Sequence, residues 1–384
     1  MANITLLSRG TGGDIYPFIK IGKALKERGH EVVVLTNLKF VGKVEDSGLS
    51  CVPLDDFTTF EEWMDDHGES RSKASWLRYV IYKNVLLYRV VERSCTAETL
   101  LISHYELHVI AQMIADNLGT TYLPVLPSPH FIQVAPNLVD HYTSTSGFVN
   151  ELRRDVGLGP IEDWQSWLSA PGCGMGFWPN WFGQPDESWL LRVEPVGFVS
   201  DESIETGHLP SCVEDELYGD AAPILITHAT SRPKDPSFFE ASIQACRLLG
   251  RKVILVTSDT DLLDDAPTDC VQTFEYLPFA DLMPKMAAVI HHGGIGTSGQ
   301  ALNSGVPQLV LPLGYDRGDN AVRLKQLGVA DFLLQPDWQP NAIAERLSRL
   351  LSSVEINARC QQLSHKSKAG DSVSAACAYI ESLN

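Results

Sequence analysis

The sequence predicts an α/β protein of two doubly wound domains, each built on a parallel sheet. Short β-branched runs such as Glu31–Thr36 (EVVVLT) alternate with amphipathic helical stretches, the pattern of a sheet covered on both faces. The alternation breaks off near residue 200 and restarts near residue 224. Each half also carries a glycine-rich strand-to-helix turn, RGTGGD at residues 9–14 and HHGGIGT at residues 291–297. A chain of 384 residues exceeds one comfortable core and fits two domains of ordinary size.

Taken in order, Asn3–Ser8 reads as a buried strand and Ile15–Arg28 as a helix, with Phe18, Ile19, Ile21 and Leu25 at helical spacing and Gly29 as its stop. Glu31–Thr36 and a strand around Leu49–Leu54 complete a βαβαβ start. Phe57–Ser72 is acidic and reads as loop or short helix, and Ser75–Val91 as helix. Leu100–Ser103 and Thr121–Leu126 are strands on either side of a helix at Leu107–Asn117. Pro127–Gly183, rich in Pro, Gly, Trp and Phe, is expected to supply short helices and loops lining a surface cleft, or else plain connectors. Val193–Ser200 reads as an edge strand leading into a linker, Asp201–Asp220. This divides the chain into a domain over 1–200, the linker 201–220, a domain over 221–370 and a helix over 371–384. In the second half Ile224–Thr227, Lys252–Thr257 and Val271–Phe274 read as strands and Asp235–Leu249 as a helix. Val289 and Ile290 form a short strand before the HHGG turn, and Pro307–Leu311 forms the next one. Asn320–Leu327, Phe332–Leu334 and a helix at Asn341–Ser353 close the domain.

Composition narrows the function. A net charge of −18 without a Lys/Arg cluster argues against a nucleic-acid partner, whose phosphates demand clustered cations. The eight cysteines show no C-x-x-C pair and no metal-like spacing, as expected of reduced thiols in a cytoplasmic protein. The N-terminus has no signal-like pattern, and no run reaches the ~20 apolar residues that span a bilayer.

The two turns carry the chemistry. Gly293, Gly294 and Gly296 let backbone approach a ligand, Thr297 caps or donates, and the helix that follows aims free N–H groups at an anion. A phosphate is the obvious occupant. The first turn fails the dinucleotide fingerprint: it lacks the third glycine, and Thr36-Asn37 stands where an acidic ribose ligand belongs. An NAD-dependent oxidoreductase is therefore disfavoured. Asp14 is either a helix cap or a carboxylate general base at a cleft mouth. Asp259-Thr260-Asp261 has a D-x-D spacing, but it lies in a polar loop outside the phosphate turn. No metal role is assigned to it.

Residues 271–330, from VQTFEYLPFADL to RLKQLGVA, resemble the donor-binding region of family 1 nucleotide-sugar glycosyltransferases. The similar branch is the bacterial one with rhamnolipid, macrolide, glycopeptide and sterol enzymes. LSRGTGGDIYPFIKIGKALKERGHEV, FWPNWFGQPDESW and FFEASIQACRLLGRKVILVT share the likeness, and residues 55–170 carry least of it. The resemblance implies the GT-B architecture: two Rossmann-like domains facing across a cleft, acceptor on the first and donor on the second. A C-terminal helix, here Asp371–Leu383, crosses back in such proteins. It implies diphosphate contacts from His291, Gly293, Gly294, Gly296 and Thr297, and from Thr230 in a loop that closes over the diphosphate. His292 is expected to pack or to orient the turn. Tyr276 stacks the base in place of a Trp, and the backbone of Leu277 reads its edge. Asp316 falls on the sugar-binding Asp, whereas Arg317 replaces a Gln. Arg317 is left three roles: recognising a carboxylate-bearing sugar, holding the pyrophosphate, or pairing with Asp319. Asp14 matches the branch's catalytic Asp, with Gly13, His104 and Trp178 assigned to the acceptor side.

The expected reaction is metal-independent, inverting transfer from a UDP- or dTDP-sugar to a hydroxyl, with no further cofactor and with the chain acting as a monomer or dimer. Asp14 takes the proton, and the turn at Gly293–Thr297 meets the leaving diphosphate. Domain closure excludes water. Trp164, Trp167, Phe177, Trp178, Trp181 and Phe182 point to an apolar acceptor, a natural product or lipid. A non-hydrolysing sugar-nucleotide epimerase and a non-catalytic auxiliary protein of the same fold are the alternatives.

Overall fold

A computed structural model describes residues 1–55, 73–133, 146–199, 209–210, 213, 221–228, 237–257, 270–314 and 316–383, with backbone alone at 73–82, 133 and 146. The chain forms two compact units. The first is Met1–Asn180, Gln184–Val199 and Ser372–Asn384; the second is Trp181–Gly183 and Ser200–Asp371.

The first unit contains β1 (Asn3–Leu7), α1 (Gly12–Glu27), β2 (Glu31–Thr36), β3 (Ser50–Pro53), α2 (Lys73–Arg93), β4 (Thr99–His104), α3 (His108–Leu118), β5 (Thr121–Leu126), β6 (Cys173–Gly176) and β7 (Arg192–Pro195). Its seven parallel strands run in the order β3-β2-β1-β4-β5-β6-β7. Leu7, Leu35 and Leu101 meet Leu87, Tyr88 and Val91 of α2 and Ile110, Ala111, Met113 and Ile114 of α3 in one cluster. On α1 a Cβ at Gly22 would lie 2.8 Å from Leu6 and 3.0 Å from Leu49, so glycine lets the helix lie close on the sheet. The order reverses at β1, where Leu7 stands opposite both Leu35 and Ser103. The loops leaving β1 and β4 therefore emerge side by side, which is where open α/β sheets bind ligands.

The second unit contains β8 (Ile224–Thr227), α4 (Ser237–Leu248), β9 (Val253–Val256), β10 (Val271–Phe274), β11 (Ala288–His291), α5 (Ile295–Ser304), β12 (Gln308–Val310), α6 (Arg317–Gln326), β13 (Ala330–Phe332), α7 (Pro340–Ser352) and α8 (Val354–Lys368). Its six parallel strands are ordered β10-β9-β8-β11-β12-β13. Here the reversal falls between β8 and β11, with His291 opposite Thr227. α9 (Ser372–Glu381) belongs to the first unit, where Glu381 meets Arg28 at 2.9 Å and His30 at 3.2 Å.

Three elements differ from the sequence reading. β6 lies within the stretch expected to hold only short helices and loops. Its sequence, CGMG, has no β-branched residue, yet Cβ atoms at Gly174 and Gly176 would meet Leu126 at 3.0 Å and Trp178 at 2.7 Å. Close approach, not propensity, chooses those glycines. α8 was not anticipated because it is mostly polar; it buries only Cys360, Leu363 and Ser364 and starts at Ser353, whose side chain accepts from the Ile356 N–H. Leu209 and Val213, inside the expected linker, are buried in a cluster with Leu225, Ile254 and Val289. Phe57–Ser72 lies outside the described residues. No described helix is long and apolar enough to cross a membrane.

Candidate functional site

β11 delivers the HHGG turn to the head of α5. His291 is fully buried: its Nε2 lies 3.0 Å from Gln308 Oε1, and its Nδ1 accepts the Gly293 N–H at 3.1 Å. A neutral ring with an accepting Nδ1 carries its proton on Nε2 and donates it to Gln308. Burial pushes His291 down to about 4, partly opposed by the Gln308 bond. With both nitrogens engaged, the ring holds the turn together. This corrects the expectation that His291 reaches a phosphate through its side chain.

His292 lies at the turn instead. Its Nε2 would be 2.5 Å from a Cβ on Gly294, the N-cap of α5, so the ring sits directly over the helix start. Its Nδ1 is buried without a hydrogen-bond partner. The His228 ring lies 4.8 Å away, centroid to centroid. Burial first, then the charges of Arg317, His228 and His291, hold His292 well below the ordinary histidine value. Gly293 has φ +91°, and a Cβ there would be 2.9 Å from both the Arg317 carbonyl oxygen and Val310. Above Gly296 there is nothing within 4 Å. The first-turn N–H groups of Ile295, Gly296 and Thr297 have no intrahelical partner, as at any helix start, and so face an open, positively polarised space. Thr297 itself is buried.

Around the turn, Asn320 Nδ2 donates to the Gly293 carbonyl at 3.0 Å and to Asp316 Oδ2 at 2.9 Å. It ties Asp316 to the HHGG turn. Arg317 Nη1 donates to the Leu313 carbonyl at 3.2 Å. Asp319 is held by Arg323 at 2.6 Å. Tyr276 is 53% exposed beside the buried Leu277. Thr230 and Asp259–Asp261 lie outside the described residues.

In the first unit Asp14 stands in the first turn of α1 and reaches back to Thr11, accepting its N–H at 2.7 Å and its hydroxyl at 2.9 Å, both on Oδ2. The capping role is therefore real. Gly10 makes it possible: its φ is +138°, and a Cβ there would lie 2.4 Å from Asp14 Oδ2. Asn37 Oδ1 accepts the Gly10 N–H at 2.9 Å, and Asp55 in turn holds Asn37 at 2.5 Å and the Leu38 N–H at 2.7 Å. Asp14 Oδ1 faces His104 Nε2 at 3.6 Å. Gly13 is exposed on the helix start.

Sequence reasoning missed Gln308 and Asn320, and it named Asn37 only as standing where an acidic ribose ligand belongs. A buried Gln within the apolar run PQLVLP was the one available signal. Trp178 is a correction: it is fully exposure-free, packed against Gly176, and does not line an acceptor surface. Trp164, Phe177 and Phe182 are buried as well, so most of the aromatic set is core.

Comparison with known proteins agrees with this geometry. Residues 4–80 match the family described as Glycosyltransferase family 28 N-terminal domain, and residues 247–377 match Erythromycin biosynthesis protein CIII-like, C-terminal domain. O-mycaminosyltylonolide 6-deoxyallosyltransferase of Streptomyces fradiae is 26% identical over 98% of this chain and 96% of its own. The fold is shared with CalG4, the calicheamicin glycosyltransferase (TM-score 0.76, 18% identity, 99% and 98% coverage), and with the glycosyltransferase VinC solved with dTDP (TM-score 0.70, 18% identity, 98% of each chain). The chain is a glycosyltransferase of GT-B fold, similar to bacterial macrolide and glycopeptide enzymes.

Proposed function

We propose that this glycosyltransferase moves a sugar from a dTDP- or UDP-sugar to a hydroxyl of a small hydrophobic natural product, with inversion and without a metal. The observation that carries the reading is the open space over Gly296, at the head of α5 and beside His292 and Arg317. Helix N–H groups, an imidazole and a guanidinium meet the charge that develops on a leaving diphosphate. Among its three options Arg317 takes the diphosphate role, since its charge acts on His292 at the head of α5. His291 acts by positioning. Tyr276 offers an exposed face for the base, with the Leu277 backbone at its edge, and Asp316 faces the sugar hydroxyls. Thr230 adds a donor to the diphosphate. The dTDP reading is supported by the VinC complex.

Asp14 is the base in this proposal. It removes the acceptor proton as the acceptor oxygen attacks the anomeric carbon and the diphosphate leaves from the opposite face, which inverts that centre. The test incubates the protein with dTDP- and UDP-sugars and a panel of hydrophobic alcohols and phenols, followed by mass spectrometry and anomeric NMR. A glycoside of inverted configuration, formed with one equivalent of nucleoside diphosphate, is expected. Epimerised donor without glycoside, or donor left intact, would overturn the reading.

A further inference from the structure

We infer that Asn320 is a positioning residue that sets a diphosphate donor and a sugar ligand at once. Its side-chain amide fixes the Gly293–Gly294 peptide so that the Gly294 N–H joins the diphosphate donors. The same amide leaves one oxygen of Asp316 to the sugar. The inference rests on the proposed function, in which the HHGG turn receives the diphosphate and Asp316 the sugar.

Asn320 is fully buried on α6. Its Nδ2 donates to the Gly293 carbonyl at 3.0 Å and to Asp316 Oδ2 at 2.9 Å. Both partners are accepting oxygens, so the amide has one orientation and both of its N–H bonds are engaged. Its Oδ1 is buried without a hydrogen-bond partner. That costs stability, which marks the nitrogen as the end the site needs.

Peptide geometry carries this hold into the turn. The Gly293–Gly294 bond is trans, and in a trans peptide the C=O and the N–H point in opposite directions. Holding the Gly293 carbonyl toward Asn320 therefore aims the Gly294 N–H away from it. That N–H has no hydrogen-bond partner among the described residues, and Gly294 is partly exposed as the N-cap of α5. Sterics alone do not hold this plane. Gly294 has φ −60°, and turning the peptide over would bring it to about +120°, which glycine adopts and other residues avoid. Turned over, the plane would offer the anion the Gly293 oxygen in place of an N–H. The Gly293 N–H is bound to His291 Nδ1 at 3.1 Å, but it belongs to the preceding peptide and does not prevent this. Asn320 does.

On the sugar side Asp316 gives Oδ2 to Asn320, while its Oδ1 has no partner among the described residues. Oδ1 is thus the atom that accepts a sugar hydroxyl. Both ligands of the donor hang on one amide nitrogen, so a donor seated at Asp316 is in register with the turn.

Titration of the full chain with dTDP or UDP, whichever the parent binds, tests this by NMR and calorimetry. Gly12–Gly13 and Gly293–Gly294 are the two Gly-Gly pairs of the sequence, so labelling glycine with ¹³C′ and ¹⁵N isolates two amides. Gly13→Ala identifies the Gly294 signal by elimination. In the parent that signal should move downfield as the nucleotide saturates the protein. A Gly294 amide indifferent to a nucleotide that binds would overturn the inference while leaving the proposed function standing. That result needs no change at position 320. Asn320→Asp keeps the size of the side chain but sets a carboxylate oxygen against the Gly293 carbonyl. It should lower nucleoside diphosphate affinity by about 10- to 100-fold, erase the Gly294 response and leave affinity for the free nucleoside within about twofold. Diphosphate affinity within about twofold of the parent, or an equal loss for the nucleoside, would also overturn the inference. Affinity for the sugar nucleotide found by the screen should fall further than that for the diphosphate, and an equal fall would overturn the sugar assignment. A parent that binds neither dTDP nor UDP overturns the proposed function and this inference together.

Discussion

At Gly294 a Cβ would strike His292 Nε2, whereas at Gly296 it would enter open space. These two glycines, two residues apart, therefore separate a structural role from a ligand-clearing one. Gly294→Ala displaces the imidazole and should weaken dTDP binding by at least about 10-fold while costing about 1–3 kcal/mol of stability from overpacking. Gly296→Ala sits within α5, where alanine is the better helix former, so stability should hold or rise by about 0.5–1 kcal/mol. Its dTDP affinity should nevertheless fall by about 10-fold, because the methyl group occupies the space given to the diphosphate. Calorimetric titration beside denaturant unfolding reads both. An unchanged dTDP affinity in Gly296→Ala would remove the diphosphate from that space. The same scale shows what the sequence could tell. The glycines, Asp14 and Thr297 were legible as two turns leading into helix starts, since each residue type has few other reasons to recur there. Which of two adjacent histidines is locked inside the turn was not legible. It depends on Gln308, seventeen positions away, capturing the first ring.

Elements place these residues through strand order. Both sheets reverse direction of growth at one point, β1/β4 in the first unit and β8/β11 in the second, and each glycine-rich turn lies there. The alternation of apolar strands and amphipathic helices made this arrangement readable, and β2, β5 and β10 have the bounds their sequences suggested. β6 and α8 escaped because neither is selected by local preference. Two glycines admit β6 beside Leu126 and Trp178, and α8 needs only three buried residues on an otherwise polar helix. The β12 partner of the turn gives a further expectation. Gln308→Leu leaves the His291 Nε2–H without an acceptor in a fully buried position, at a cost of about 1–3 kcal/mol. Because the same bond orients the turn, dTDP affinity should drop with it. A stability loss without any change in affinity would mean that His291 does not position the diphosphate donors.

At the scale of the whole molecule, buried histidines link stability to pH in both units, His108 in the first and His291 with His292 in the second. Burial holds His108, in the first unit, and His291, in the second, at about 4. Above pH 6.5 the rings are neutral both folded and unfolded, and their contribution is complete. As pH falls below 6.5 the unfolded chain gains protons that the folded rings refuse, so stability is lost until the folded values near 4 are passed. By pH 5 His108 and His291 should each have removed about 2 kcal/mol, and His292 adds to the loss in the second unit. Urea unfolding at pH 7.5 and pH 5 measures it, and His108→Phe should shed about that much less in the first unit. Equal stability at the two pH values would contradict the burial of both rings. In the proposed reading the first unit supplies the base and the second the diphosphate site. The most direct measurement is therefore the turnover of Asp14→Asn with the identified donor and acceptor, taken together with its dTDP affinity. The account predicts a loss of kcat of at least about 100-fold with dTDP affinity within about twofold of the parent, since Asp14 and the helix start it caps belong to the first unit and the diphosphate residues to the second. Turnover within a few-fold of the parent would contradict it.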